Sequence, residues 1–589
     1  MKKSILFNSL LGCLLLLLFL FSFVKSYSQW VDGGTRISTN AHAHRPIMSL
    51  MNDGSVYITW VATYTEGHYG DIYLNAIAAD GTVKAGWPQG GIQLTFKDNQ
   101  WAPVVITSED QGAIVAWQGE TEESTKLKIF IQKYSVAGTP LWNKGKALLI
   151  TSSDTVNDQY PILFSDKHKG CFVTWTRFNA DMDPSSTDVL LQHIDSTGNI
   201  AEGYDKDAVI VSNTTDSRAY YPRIIISNDG SSVYVMYFVG GIGKTSLYLK
   251  KFNTVDGKQD AGWDKNGLAL SLGPLVWPDI SKEHFLFMDN LDNVIAFWLE
   301  SRMTGNGEIF MQRISPSGET KLEQWGKYIS GRSATGDGIS YVEITKDEQS
   351  NFLIVNNNYE NSYDLYALKK APNGNTIWVN KSVSANGTSA YPKVVSDGRK
   401  GMYIFYKDIT GSPELLKALA LDSTGALYDA WPVQGSNFGK INLFPMGMVA
   451  MPNLDFVVVP NIKGQAIVCW NRFMNNQFNL YACNLLSDGS NCSDRTGGMN
   501  NINARKNNIK IYPNPFNSEI KIDLPEDILN KNSCFVLRIY DITGKSVINK
   551  SFHPSISSTI NTNYLNKGLF YFNLIKDDLI IDKGILVKE

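Results

Sequence analysis

The chain has 589 residues, 43% of them hydrophobic and 12% aromatic, with 54 basic and 57 acidic side chains and a formal net charge of −3. That length exceeds one ordinary core, so two or more domains are expected. The balanced charge, with no basic stripe, argues against nucleic acid as a partner.

The first residues have the layout of an export signal. Lys2 and Lys3 form a positive start, Leu10 to Val24 is an apolar run, and Ser26-Tyr27-Ser28 is a small-x-small cleavage site that leaves Gln29 first. The run is short for a membrane span. Leu10-Leu11-Gly12-Cys13 mimics a lipoprotein signal, but Cys13 stands at the start of the apolar run, where lipidation would remove too little. No later segment is apolar enough to span a bilayer, so the mature chain is expected to have no transmembrane segment. Export implies an oxidising compartment. Cys171, Cys469, Cys483, Cys492 and Cys534 remain after cleavage. Cys483 and Cys492 are spaced to close a small loop, whereas Cys171 and Cys469 lie in apolar strands and read as buried free thiols. No Cys or His spacing indicates a metal, and no cofactor is expected.

From about residue 30 to 488 one pattern recurs. A proline opens an apolar strand, a turn rich in Asp, Asn and Gly follows, and the next strand ends in Trp. Pro46 and Trp60, Pro103 and Trp117, and Pro161 and Trp175 are each fourteen residues apart. Looser copies are Pro222/Tyr237, Pro278/Trp298 and Pro392/Tyr406, and weak ones run from Ile339 to Asn356 and up to Trp470. An alternating strand follows each time, then a glycine turn (Asp80-Gly81, Ala137-Gly138, Thr197-Gly198, Ser317-Gly318, Asn373-Gly374), then a short strand opened by residues such as Trp87 or Trp142. Four strands per unit, at about 59 residues per unit between Trp60 and Trp470, predict an all-β fold, a β-propeller of eight four-stranded blades with seven as the alternative. Trp30 to Ser38 matches the short strand that the last unit lacks. The N-terminal strand is therefore expected to complete the last blade and hide its edge.

Residues 493–508, with Thr496-Gly-Gly-Met-Asn-Asn, read as a linker. From Ile509 about seven short strands predict a small Ig-like β-sandwich. Ile511-Tyr-Pro-Asn-Pro-Phe516, Ile539-Tyr-Asp-Ile-Thr-Gly-Lys545, Leu565-Asn-Lys-Gly-Leu-Phe-Tyr571 and Lys583-Gly-Ile-Leu-Val-Lys588 follow in order. This tail resembles the type A C-terminal sorting domain of the type IX secretion system, found in Bacteroidota. The resemblance assigns the sorting motif to Tyr512, Pro513, Asn514, Pro515, Asp541, Gly544, Lys545, Gly568, Lys583 and Gly584. It implies the secretion machinery as partner and a secreted or outer-surface location, reached through the periplasm. The expected layout is a signal peptide over 1–28, a propeller over 29–492, a linker over 493–508 and a sorting domain over 509–589.

The chemistry is less explicit. Sialidase-like turns of the form Ser-x-Asp-x-Gly-x-Thr-Trp are not matched by Ser135 to Trp142 or Ser315 to Thr320, and Arg45, Arg177, Arg218, Arg223 and Arg302 show no grouping as a triad. The recurring acids Asp53, Asp110, Asp166, Asp229, Asp289, Asp347 and Asp397 read as hairpin-turn residues. Asp181, Asp183 and Asp188 form an acidic loop with oxygen ligands suited to calcium but without EF-hand spacing. His42 and His44 read as a solvated loop, having no third ligand.

The candidate ligand site is aromatic. Trp101, Tyr160, Tyr221, Trp277 and Tyr391, with Tyr220 beside them, stand just before the proline strands. Equivalent positions in successive blades would cluster round one channel mouth, where aromatic faces suit sugars; the competing reading packs each ring against the next blade. Two functions follow. One is a non-catalytic binding or interaction protein for a surface glycan or a protein. The other is a secreted polysaccharide-acting hydrolase. Acids and arginines converging on one face would favour the enzyme.

Overall fold

Apolar runs become strands almost throughout. The second strand of each repeat is apolar with little interruption, as in Val56-Tyr-Ile-Thr-Trp-Val-Ala62, and there every residue is buried. A computed structural model describes residues 30–491 and 510–589, apart from internal stretches of which 272–283, 442–454 and 525–534 are the longest. The export signal, the linker and Trp277 lie outside the described residues. The chain divides into two compact units, Met1–Gly497 and Gly498–Glu589.

Among the described residues the first unit holds eight four-stranded antiparallel sheets. The first is built from Ala43–Leu50, Val56–Ala62, Asp71–Ile77 and Ile92–Gln93. The others open with Gln100–Thr107, Asn157–Ser165, Ala219–Ile226, His284–Met288, Ile339–Lys346, Ser389–Ser396 and Phe456–Asn461. Thr35–Arg36 is the outer strand of the eighth sheet, in register Thr35 to Ala482 and Arg36 to Tyr481. The N-terminal strand thus completes the last sheet, as its match to the missing short strand requires.

Each sheet packs on the next through its own buried cluster. Val61, Leu74, Val115 and Trp117 join the first to the second. Ile58, Trp60, Ile467 and Cys469 join the eighth back to the first, which closes a ring in a propeller-like arrangement. Cys171 and Cys469 are free and buried. Cys483 is disulfide-bonded, and the expected partner Cys492 lies outside the described residues.

Two sequence signatures meet at the sheet boundaries. The Trp of the short strand donates its indole N–H to a backbone carbonyl in the glycine turn of the following sheet. Trp30 reaches Ala79 at 3.1 Å, Trp87 reaches Val136 at 2.8 Å and Trp142 reaches Ser196 at 3.0 Å. Trp263 to Pro316, Trp378 to Ser423 and Trp431 to Ser487 repeat the bond. The turn glycine lies flat on the donor's ring: a Cβ on Gly198 would stand 2.4 Å from Cγ of Trp142, and its φ of +89° disfavours any side chain. In the sixth sheet, where Gly374 has no such Trp, Lys327 of the fifth sheet donates to Asn373 instead.

The recurring acids hold the hairpin turns. Asp53, Asp110, Asp166, Asp229, Asp289, Asp347 and Asp397 each accept the backbone N–H two residues on. Third-strand side chains then reach four of them, as Lys133 to Asp110 at 2.7 Å, His193 to Asp166 at 3.0 Å, Arg313 to Asp289 and Lys369 to Asp347. Burial acts to raise these carboxyls, but the bonds from Lys133 and Ser108 hold Asp110 below its usual range, and those from Lys369 and Asn351 do the same for Asp347.

The second unit has a three-stranded sheet of Lys510–Tyr512, Glu519–Asp523 and Ser557–Asn561. Its four-stranded sheet runs in the order Ser546–Phe552, Phe535–Asp541, Gly568–Lys576, Leu579–Lys588. Phe516, Ile520, Leu537, Phe572, Leu574 and Leu586 share one core.

Trp142 is 1% exposed and bridges two sheets through both its ring and its N–H. Trp142→Ala is expected to lower unfolding free energy by about 3–5 kcal/mol. Trp142→Phe, which keeps most of the ring but not the donor, should cost about 1 kcal/mol for the lost bond plus a smaller packing loss. Urea denaturation of the three proteins measures both.

Candidate functional site

Each sheet's first strand enters the ring at the same end, and most of these strands carry a bulge just before their proline. The register slips between His44 and Ile47, Trp101 and Val104, Gln159 and Ile162, Tyr220 and Arg223, and Ala390 and Lys393. The pre-proline residues Arg45, Ala102, Tyr160, Tyr221 and Tyr391 adopt φ between 51° and 58°, a left-handed conformation that costs non-glycine residues about 1 kcal/mol or more. Strain of this kind persists only where the surroundings enforce it. Here side chains of the preceding sheet hold it: Gln118 accepts the Tyr160 N–H at 2.7 Å and Thr176 accepts that of Tyr221 at 3.3 Å.

The bulge turns the rings toward one another. Trp101 meets Tyr160 edge-on at 5.8 Å, Tyr160 meets Tyr221 at 5.9 Å, and Tyr221 meets Tyr220 at 5.0 Å. The second, third and fourth sheets therefore share one aromatic arc. Tyr391 of the seventh sheet pairs instead with Tyr341 of the sixth at 4.7 Å. Trp101, Tyr160, Tyr221 and Tyr391 are all partly exposed. Trp101 stands one position earlier than expected: Ala102 precedes its proline, so Trp101 corresponds to Tyr220 and not to Tyr221.

Charge converges on the same strand ends. Arg45 of the first sheet lies 5.9 Å from the centre of the Trp101 ring. Lys407, fully buried, lies 5.0 Å from the centre of the Tyr391 ring, is paired with Asp455, and has Glu414 at 3.9 Å. Arg177 and the Trp175 indole N–H both bond buried Asp158 at 2.8 Å. A cavity of about 300 Å³ is walled by first-strand residues that include Pro46, Arg223, Phe285, Glu343 and Lys393, with Lys393 paired to Glu343.

Sequence reading foresaw neither this convergence nor the charged wall. Arg223 and Lys393 each follow the strand proline directly, a repeated position that in hindsight marks cavity-facing residues. The expected solvated histidine loop is corrected as well. His44 is 4% exposed, and burial, with Arg45 and His42 nearby, lowers its pKa to about 3, which keeps it neutral. Asp181, Asp183 and Arg302 lie outside the described residues, and the Asp188 carboxylate accepts bonds from Asn179 and Ser212 at 2.7 Å each. No group of three metal-ligating side chains occurs among the described residues.

In the second unit two distant parts of the expected motif meet. Val587 N–H donates to the Asn514 side chain at 2.8 Å, Phe516 N–H donates to the Val587 carbonyl at 2.8 Å, and Lys588 donates to the Thr562 carbonyl at 2.6 Å. Tyr512 donates to Asp523 at 2.8 Å, while Pro513, Pro515 and Gly568 are exposed. Asp541 pairs with Phe570, and Lys583 and Gly584 pair with Asn573 and Phe572. Gly544 and Lys545 lie outside the described residues.

Burial raises the Asp455 carboxyl to about 6, against the pull of Lys407. An acid whose folded pKa exceeds its unfolded value near 4 binds extra protons when folded, so stability falls as pH rises from about 4 to about 6. Asp455→Asn should flatten that part of the curve, as measured by urea midpoints across pH.

No curated protein matches the chain. Among solved structures, a PL25 ulvan lyase bound to a GlcA–Rha3S saccharide is 11% identical, covers 67% of this chain and 96% of its own, and has a TM-score of 0.40. An endo-1,5-α-L-arabinanase from Thermotoga petrophila RKU-1 is 12% identical over 66% and 98%, at TM-score 0.28. A protein of unknown function from Dyadobacter fermentans is 10% identical over 65% and 93%, at TM-score 0.33. Likenesses this distant say nothing of the chemistry at the mouth. The tail is different, since residues 510–588 match the family of secretion system C-terminal sorting domains. No helix among the described residues is long and apolar enough to cross a membrane. The segment 510–588 is therefore a type IX secretion C-terminal sorting domain, and its chain is a cargo delivered to the cell surface or beyond.

Proposed function

We propose that this protein is a secreted eight-bladed β-propeller that binds a saccharide at the aromatic mouth. In this reading residues 1–28 are a signal peptide, 29–492 a closed propeller, 493–508 a linker, and 509–589 an Ig-like domain read by the secretion machinery of a Bacteroidota cell. Eight sheets and a cluster joining the last to the first support the propeller. The observation that carries the binding site is the arc of Trp101, Tyr160, Tyr221 and Tyr220, drawn from three successive sheets and left partly exposed. Aromatic faces present a flat apolar surface to the C–H face of a sugar ring, and the neighbouring charges supply hydrogen bonds to its hydroxyls.

A second reading, action on a polysaccharide, is favoured by one arrangement: Asp455 and Glu414 share Lys407 on the face that also carries Arg45 and Arg223. A reducing-end assay on polysaccharides that the protein binds separates the two. New chain ends that vanish in Asp455→Asn support cleavage, and binding without new ends supports a pure binding protein.

Trp101→Ala and Tyr221→Ala should weaken saccharide binding several-fold, since stacking on a ring contributes on the order of 1 kcal/mol beyond burial. Calorimetric titration checks this, with melting temperature as control. A drop in stability of about 3–5 kcal/mol with binding unchanged would assign the rings to packing.

Deleting 506–589 should leave the propeller folded but hold it in the periplasm, because the tail forms a separate compact unit with its own core. Fractionation of the truncated protein tests this, and normal secretion would refute the export route.

A further inference from the structure

A second cavity, of about 250 Å³, lies between the second and third sheets. Ile150 and Ser153 line it from the segment that leaves the second sheet after Leu148–Leu149. Trp175 and Arg177 line it from the second strand of the third sheet, Cys171–Phe178. Lys206 and Asp207, both exposed, line it from the segment before that sheet's outer strand, Val209–Ile210. Arg177 donates from Nε and Nη2 to the two oxygens of Asp158, at 2.8 and 3.0 Å, and the Trp175 indole N–H bonds the same carboxylate at 2.8 Å. Asp158 is fully buried and the Arg177 side chain is 20% exposed, so what the cavity meets of this pair is the guanidinium.

The repeat shows that the fold does not need this pair. At the position where Asp158 faces Arg177, the first, second, fourth and seventh sheets carry Ala43 with Ala62, Gln100 with Gly119, Ala219 with Val239 and Ser389 with Asp408. None of these joins a cation to an acid. A buried ion pair seldom stabilises more than apolar residues of the same volume. Its effect here is to fix a guanidinium at a cavity wall. The bonds to Asp158 occupy one edge of the planar fork, which leaves the Nη1 edge for another pair of acceptors.

An anion finds little in this wall, because Asp158 already neutralises Arg177 and Asp207 accompanies Lys206. A sugar hydroxyl is both donor and acceptor, so neighbouring ring hydroxyls can accept from Arg177 and Lys206 and donate to Asp207 or Ser153. The volume lies slightly below the usual range for ligand pockets and is enough for one sugar ring. We propose that this cavity is a second saccharide subsite, which takes one uncharged, hydroxyl-rich sugar residue on the open edge of Arg177. The proposal deepens the saccharide-binding reading and rests on it. Asp158 stands two residues before Tyr160 on the same strand, so the cavity and the aromatic arc belong to one end of the third sheet. The bound polymer then runs outward from the arc over the third sheet.

The test presents the full mature chain with an array of neutral and uronate-bearing oligosaccharides, followed by calorimetric titration of a neutral series of increasing length. Affinity should rise with length once a residue reaches the cavity. Lys206→Ala and Asp207→Ala, at exposed positions that spare the fold, should each reduce that rise several-fold. Arg177→Lys, which keeps a charge beside Asp158 but loses the fork, should reduce it about tenfold, the scale of hydrogen bonds to a charged group. Melting curves check all three, and if Arg177→Lys fails to fold, the two exposed variants decide. Trp101→Ala should weaken short and long members alike. Raising NaCl from about 50 to about 500 mM should leave binding of the neutral series as it is. A length dependence that Lys206→Ala and Asp207→Ala do not alter overturns the proposal, as does a preference for uronate-bearing members that is lost in Arg177→Lys. The arc reading survives either outcome if Trp101→Ala weakens binding. Losses in Lys206→Ala and Asp207→Ala that Trp101→Ala does not share keep the cavity and overturn the arc. Failure to bind any member overturns both.

Discussion

The ring is held by the indole that crosses from one sheet to the next. At six of the eight boundaries among the described residues a tryptophan of one sheet donates to a carbonyl in the glycine turn of its neighbour, from Trp30 of the eighth sheet reaching the first round to Trp431 of the seventh reaching the eighth. Neighbouring sheets share no ladder hydrogen bonds, so this contact, together with side-chain bonds such as Gln118 to Tyr160 and Lys393 to Glu343, gives direction to boundaries otherwise made by apolar packing. Packing is nondirectional and tolerates sliding, whereas a directed N–H bond beside a residue with no room for Cβ fixes the distance and turn between sheets. The N-terminal strand matters for the same reason. It supplies both the missing edge of the eighth sheet and Trp30, so one segment closes the backbone ladder and the chain of indole contacts.

A scaffold fixed at its rim can hold strain at its centre. The turns at one end of the sheets are regular, seven of the eight with an aspartate satisfied by its own backbone and often by a basic side chain. At the other end the first strands bulge into left-handed conformations, and buried ion pairs replace part of the apolar packing. A core built only for stability would have little use for those features. They collect at the strand ends on which the proposed binding reading rests.

The sorting domain follows a simpler logic. Its Pro-Asn-Pro segment and its last strand are more than sixty residues apart in sequence, yet the Asn514 side chain and the Phe516 backbone bond directly to Val587. The two ends of the motif are therefore one structural element. Loss of the final strand would remove Leu586 from the core and uncover Phe516.

Much of this was legible in the residues alone. Period-two alternation, turn glycines and aspartates, and a tryptophan at fixed spacing are local requirements of strands and hairpins, so the repeat, the strand order within each unit and the N-terminal strand exchange could be read from them. The tail was legible because its motif residues are fixed by short turns and one small core. The site was legible only in part. Tyr160, Tyr221 and Tyr391 stand out because they repeat before a proline, but Trp101 fell out of step by one position, since a bulge shifts register without leaving a mark in composition. The partners of Lys393 and Lys407 were invisible, because each charge is balanced by a residue from another sheet. Lys393 and Glu343 are 50 residues apart, and Lys407 and Asp455 are 48. Local pattern determined the sheets, whereas closure of the ring decided which charges and rings share one cavity, because closure alone brings the first-strand ends of separate repeats to a common axis.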